Sequence, residues 1–214
     1  MAYYIPIMLD CEGLKAVIVG GGRIAARKAA PLLEGGAALM VISPELGSEL
    51  EREHEAGRIT WIGKNYAAGD LISAQPGLVF ACTPDEAVNR LIAEEAGHLH
   101  IPVNVAARSA DGNFITPAVV RRGDLIFSVS ASGASPALSR NIAKELASHY
   151  GEEFEIYLSL CRRVRQRIKQ VVQEPARRAE LLNKLTELDI LEQIRSGQFQ
   201  DWPEEQIDEW IVKG

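Results

Sequence analysis

An α/β fold built on a parallel sheet is predicted for the first half of this chain by three observations. Short runs rich in Val, Ile and Leu alternate with longer segments of helical composition, the pattern of strands crossed by helices. The first such run, Lys15 to Val19, ends on Gly20-Gly21-Gly22-Arg23-Ile24-Ala25, with the spacing Gly-x-Gly-x-x-Ala. After Asn113 the alternation stops, and two strand-like runs lead into long helical segments. The predicted organisation is a parallel-sheet domain over 1–113, a small α+β segment over 114–150 and a helical C-terminal domain over 151–214.

Lys15 to Val19 is a continuous apolar, β-branched run, as a strand buried on both faces requires. In the turn that follows, Gly20 permits the tight reversal, Gly22 lacks the Cβ that would collide with a pyrophosphate, and Ala25 lets the helix sit close to the strand. Arg23 and Ile24 open that helix, whose first N–H groups have no partner within it and face an anion with the helix dipole behind them. This is a Rossmann-like dinucleotide site, favoured by its context over a purely structural turn. The helix, Ile24 to Leu33, contains Pro31, which removes a hydrogen bond at a cost of ~3 kcal/mol, so it is expected to kink or end early.

Ala38 to Ile42 reads as the second strand and Glu45 to Ala56 as the second helix. Between them, Ser43-Pro44-Glu45 stands where an acid meets the adenosine ribose of NAD. Glu45 has two readings, ribose ligand or first-turn carboxylate complementing a helix dipole. No arginine follows at once to receive a 2′-phosphate, which favours NAD over NADP. Strands at Ile59 to Ile62 and Leu78 to Ala81, a helix at Glu86 to Gly97 and a strand at Ile101 to Val105 complete the domain. Thr83, in Ala81-Cys82-Thr83-Pro84, falls at the same carboxyl edge of the sheet, either as a cofactor contact or as part of a helix cap.

Phe114 to Val120 and Leu125 to Ser130 read as two strands around a turn at Arg121-Arg122-Gly123-Asp124. Ser130-Ala131-Ser132-Gly133-Ala134-Ser135-Pro136 then leads into a helix ending near Tyr150. Its hydroxyls and N–H groups, with Arg140 and Lys144 following, suit carboxylates, and a capped loop is the alternative. From Glu152 the apolar residues recur at helical steps, and Arg162, Arg163, Arg165, Arg167, Lys169, Arg177 and Arg178 are offset only by Glu174. Such a run is a solvated helical face or the collector of an anionic ligand. The stretch from Gln198 to Trp210 is acidic, and Trp202 and Trp210 are expected to pack it onto the helices.

Composition bounds the rest. The chain has 214 residues, 24% charged, with a formal net charge of −6, which argues against generic nucleic-acid binding. Cys11, Cys82 and Cys161 have neither metal-ligand nor disulfide-framework spacing, and His54, His98, His100 and His149 form no metal motif. No metal site is expected, and His100 is kept as a reserve base. No run approaches the ~20 apolar residues of a membrane span, and the start lacks a signal-peptide pattern, so a cytoplasmic location is expected.

Seven segments together resemble one family. They are Tyr4 to Leu9, Val19 to Lys28, Ala81 to Asp85 with Asn89, Val103-Asn104-Val105, Phe114 to Ala118, Arg121 to Leu125, and Ser132 to Arg140. In order and spacing they resemble the precorrin-2 dehydrogenases, the module also found at the N-terminus of siroheme synthases. The resemblance covers about the first 150 residues and implies NAD-dependent oxidation of the tetrapyrrole precorrin-2 to sirohydrochlorin. It also implies a homodimer formed through the middle segment, and in some members insertion of ferrous iron as a second substrate. The substrate-binding positions it implies are Asn104, Ser130, Ser132, Gly133, Ser135 and Arg140.

One departure stands out. The family has an aspartate three residues after the asparagine matched by Asn104, implicated in dehydrogenation and chelation, and here Ala107 holds that place. Asp111, in the same loop, is the candidate substitute, although a loop carboxylate is more often a turn former. Loss of a catalytic base typically costs ~10²- to 10⁴-fold in rate. Two function classes follow: an NAD-dependent dehydrogenase, or a non-catalytic sensor or carrier of NAD or tetrapyrrole.

Overall fold

The computed structural model describes residues 4–213, so the first three residues of the expected 1–113 domain and the last of 151–214 lie outside the described residues. The chain divides into two compact units, Met1–Thr116 and Pro117–Gly214.

The first unit is built on five parallel strands, β1 (Lys15–Val19), β2 (Ala38–Ile42), β3 (Ile59–Ile62), β4 (Leu78–Ala81) and β5 (Val103–Val105). Their spatial order is β3-β2-β1-β4-β5. Residues alternate between the two faces of the sheet, and each face is buried under helices. Ala16, Ile18, Leu39, Val41, Leu78 and Phe80 pack with Ala25, Ala29 and Leu32 of α1 (Arg23–Glu34) and Leu50 of α2 (Ser48–Glu55). On the other face, Val17, Val19, Val79, Ala81, Val103 and Val105 pack with Leu71 of α3 (Asp70–Ala74) and with Ile92 and Ala96 of α4 (Glu86–His98).

Several boundaries differ from the sequence reading. Helix α1 does not end early at Pro31 but runs on to Glu34. Pro31 lies in its last turn, where only one intrahelical bond is forgone, and Leu32 beyond it is anchored in the core. Helix α2 starts at Ser48 rather than Glu45, because Gly47, extended at φ −75°, donates its N–H to Gly21 O and holds the preceding residues as a loop. Strand β5 starts at Val103, since Pro102 has no N–H and Ile101 N–H closes α4 on Ala96 O. Helix α3 was not expected. The Glu95 carboxylate of α4 accepts the N–H groups of Gly69, Leu71 and Ile72 and the Tyr66 hydroxyl at 2.6 Å, which ties the β3–β4 connection down.

In the second unit, β6 (Ala118–Arg122) and β7 (Leu125–Val129) form an antiparallel hairpin. Arg121 and Arg122 belong to β6, so the turn is only Gly123-Asp124, with Gly123 at φ +55°. Residues 114–117 are not strand. Helix α5 (Pro136–His149) packs on the hairpin, and α6 (Glu153–Val171), α7 (Pro175–Glu187), α8 (Ile190–Arg195) and α9 (Glu204–Lys213) follow. Leu160, Val164 and Ile168 form one stripe of α6 and meet Leu181, Leu185, Ile190, Ile207 and Ile211, with Trp202 and Trp210 packed against this core.

Candidate functional site

The carboxyl edge of the parallel sheet changes direction between β1 and β4, since β2 and β3 lie to one side of β1 and β4 and β5 to the other. Ligands bind at such a switch point in open α/β sheets. Gly20 occupies it at φ +116°, donating its N–H to Ile42 O, while Cys82 N–H donates to Val19 O. A Cβ on Gly20 would stand 2.6 Å from Cys82 O, so both the backbone conformation and the space demand glycine. Gly22, the N-cap of α1, differs: no atom lies within 4 Å of where its Cβ would be, and no side chain caps the helix. The first turn of α1 thus presents uncapped N–H groups beside open space, which fits a pyrophosphate. Arg23 and Ile24 are exposed at this end.

Gly21, the unconstrained middle position of the Gly-x-Gly spacing, is fixed by packing. A Cβ there would overlap Glu45 O and come within 2.8 Å of Ser43 Oγ, so the β2–α2 loop rests directly on the glycine turn. Ser43 is buried, donates its N–H to Ile62 O and accepts from Trp61 Nε1 at 2.9 Å, whereas Pro44 and Glu45 are exposed. Glu45 precedes α2 by three residues, which removes its reading as a first-turn helix carboxylate. Thr83 donates its hydroxyl to Asn89 Oδ1 at 2.9 Å, and Asn89 Nδ2 returns a bond to Thr83 O. The cap of α4 is Asp85, accepting from Ala87 and Val88 N–H.

Beyond β5 the chain folds back on itself. Asn113 Oδ1 accepts Val103 N–H at 2.7 Å, and Gly112 passes so close to Val103 O that a Cβ would stand 2.6 Å away. Asn104 is 5% exposed, its Nδ2 donates to Phe114 O at 3.0 Å, and its Oδ1 has no hydrogen-bond partner among the described residues. Ala107 is exposed just past β5. Asp111 ends a single 3₁₀ turn (Ser109–Asp111), with its carboxylate 3.8 Å from Arg108 Nε. His100 lies at the amino end of β5, away from this edge, which removes it as a reserve base. On the α1 face of the same strands, Lys28 stands over Phe80.

In the second unit, Ser132 and Gly133 both take positive φ, +51° and +85°. Ser130 Oγ accepts Ser132 N–H, and Ser135 Oγ caps α5 by accepting Leu138 N–H. Ser132 and Arg140 are exposed. The basic run of α6 and α7 is largely committed to the chain itself. Arg167 forms a fork with both oxygens of Asp208, Arg163 holds Asp201 and Trp202 O, Arg162 pairs with Asp124 and Arg177 with Glu180. Arg178 donates to Val172 O and Lys169 O, closing the end of α6. Of these, Arg163 and Arg167 hold the acidic stretch that precedes and forms α9. Among the described residues, no cluster of His, Cys, Asp or Glu could hold a metal ion, and no helix is long and apolar enough to cross a membrane.

Comparison with known proteins sharpens this geometry. A family model described as putative NAD(P)-binding matches residues 7–118. A siroheme synthase of Nitrosospira multiformis is 33% identical over 221 residues, covering 99% of this chain and 46% of its own length. The precorrin-2 dehydrogenase of Priestia megaterium is 31% identical over 179 residues, 84% of this chain and 87% of its own. The chain belongs to the precorrin-2 dehydrogenase family. A solved family structure, SirC, a precorrin-2 dehydrogenase, superposes with a TM-score of 0.77 at 28% identity over 98% of both chains. The family's parallel α/β sheet and helical C-terminal region are thus both present here. The chain spans about half the length of the siroheme synthases it matches.

Proposed function

We propose that this chain oxidises precorrin-2 to sirohydrochlorin using NAD. The observation that carries the reading is the contrast within the glycine turn: the β-positions of Gly20 and Gly21 are blocked by the chain, and that of Gly22 is open beside an uncapped helix start. Open β-positions also occur at surface glycines such as Gly57 and Gly197; at Gly22 the open space coincides with the uncapped start of α1 at the carboxyl edge of the sheet.

Bound NAD supplies the hydride acceptor. The N–H groups of the first turn of α1 would hold its pyrophosphate beside Gly22, with Arg23 and Ile24 flanking it. Ser43, Pro44 and Glu45 would face the ribose and Thr83 the opposite side of the crevice. On the first unit Asn104 is proposed as a tetrapyrrole contact; on the second, Ser130, Ser132, Gly133, Ser135 and Arg140 are proposed as contacts in their own right. The carboxylates of the tetrapyrrole would pair with exposed Arg140 in a chain of net charge −6. The proton lost with the hydride would pass to Asp111 or to water. Ferrous iron would be a second substrate.

The homodimer is part of the same proposal. A two-stranded hairpin is marginal alone, and Val119 on β6, Leu138 and Ile142 on α5 and Ile156 on α6 are exposed apolar residues that a second copy would cover. A cytoplasmic location belongs to it as well.

A second reading is favoured by Ala107 and by the Asp111 carboxylate facing Arg108: a sensor or carrier of NAD or tetrapyrrole without turnover. Anaerobic incubation with precorrin-2 and NAD, followed by the absorbance of sirohydrochlorin, separates the two. Turnover lost in Asp111→Ala supports a relocated base, and turnover kept in that variant supports water. NAD binding without turnover supports the carrier, and absence of both NAD binding and turnover rejects the dinucleotide reading.

A further inference from the structure

Two polar groups on the α1 face of the sheet have needs that the described residues leave unmet. Lys28, half-buried on α1, donates to the Thr116 hydroxyl and stands 5.7 Å from the centroid of the Phe80 ring. Burial holds its pKa below the ordinary lysine value, and no carboxylate among the described residues forms an ion pair with it. A half-buried ammonium without an anion is an unfinished ion pair. Asn104 is the second such group, buried and held by its Nδ2 on Phe114 O, with Oδ1 lacking a donor. A buried acceptor of this kind calls for a donor from outside the chain.

The two are neighbours on one patch. Asn104 is the register partner of Phe80 across β4 and β5, so both side chains leave the sheet on the same face. Phe114, whose carbonyl holds Asn104, packs edge-on against Phe80 at 5.4 Å, and Lys28 lies over that same Phe80 ring.

We propose that Lys28 and Asn104 form a recognition pair for a ligand that offers a carboxylate and an N–H together. The carboxylate pairs with Lys28 Nζ, which Thr116 orients, and the N–H donates to Asn104 Oδ1. The inference rests on the tetrapyrrole reading, because pyrrole rings bearing carboxylate side chains carry both groups. The dinucleotide pyrophosphate is a poor candidate for Lys28, since five residues of helix place it about 8 Å along the axis from Arg23.

The test is anaerobic titration of sirohydrochlorin, with NAD titrated separately, on wild type, Lys28→Met and Lys28→Arg. Methionine keeps the aliphatic stem over Phe80 and removes the charge, and arginine keeps the charge. Loss of a charge-assisted contact predicts about 10- to 100-fold weaker sirohydrochlorin binding in Lys28→Met, with Lys28→Arg within about fivefold of wild type. NAD affinity and thermal midpoint are expected to stay unchanged in both. Wild-type sirohydrochlorin affinity in Lys28→Met overturns the proposal, and so does lost NAD affinity or a collapsed midpoint, which would assign the lysine to the cofactor or the scaffold. Wild type that binds NAD but not sirohydrochlorin rejects the tetrapyrrole reading itself.

Discussion

Gly21 and Glu45 are in direct backbone contact: a Cβ on Gly21 would overlap the Glu45 carbonyl oxygen, while the Gly47 N–H donates to the Gly21 carbonyl at 2.8 Å. Two turns at the carboxyl edge, after β1 and after β2, are thereby fitted to each other, and the middle glycine is where they meet.

Gly21 and Gly22 should therefore respond differently to alanine. Gly21→Ala must push the β2–α2 loop away and is expected to cost about 1–3 kcal/mol of stability. Gly22→Ala meets open space at an ordinary backbone conformation, so its stability should stay within about 0.5 kcal/mol of wild type while NAD binding weakens at least ~tenfold. Thermal unfolding and NAD titration of both variants check this; undiminished NAD affinity in Gly22→Ala would take the turn out of the cofactor site.

Ala107→Asp should raise precorrin-2 turnover by roughly 10²- to 10⁴-fold if the chain lacks a base. A small or absent gain would mean that Asp111 or water already serves, and single-turnover rates of wild type, Ala107→Asp and Asp111→Ala distinguish these.

The Arg167 fork holds the Asp208 carboxyl below its ordinary pKa, chiefly through its hydrogen bonds. A folded-state pKa below the unfolded value means that the stabilisation is present above about pH 3.9 and is lost as pH falls through the lower, folded value. Trp202 and Trp210, whose ring centroids are 5.9 Å apart, report on the same region. Their fluorescence should hold steady from neutral pH to about 5 and change in acid, with that change altered in Asp208→Asn. Both partners are more than a third exposed, so added salt should weaken the pair. A salt- and Asp208-independent profile would show that α9 is held by its apolar side alone.

Burial pushes the Cys82 thiol up to about 11, with Lys28 and Arg27 opposing the shift. At pH 8 roughly one such thiol in a thousand is ionised, so Cys82 should be alkylated last of the three cysteines in the native chain and at an ordinary rate in urea. Rapid native modification at Cys82, read by peptide mass, would mean that the β4 end opens readily.

The sequence by itself determined strands β1 to β4 and the turn between β1 and α1, because those signals are local: a buried strand needs a run of apolar residues, and a backbone at φ +116° needs Gly20. The existence of a hairpin turn at Gly123 belongs to the same class, though not its bounds. Tertiary structure decided what depends on residues far apart. Pro31 stays helical because Leu32 is anchored in the core. Arg163 and Arg167, which as a sequence run looked ready for an external anion, are answered by Asp201 and Asp208 some forty residues on. Conversely, nothing around Lys28 or Asn104 in the sequence marks them as unsatisfied. Whether a charge or an amide has its partner is settled only when the fold brings distant side chains together or fails to.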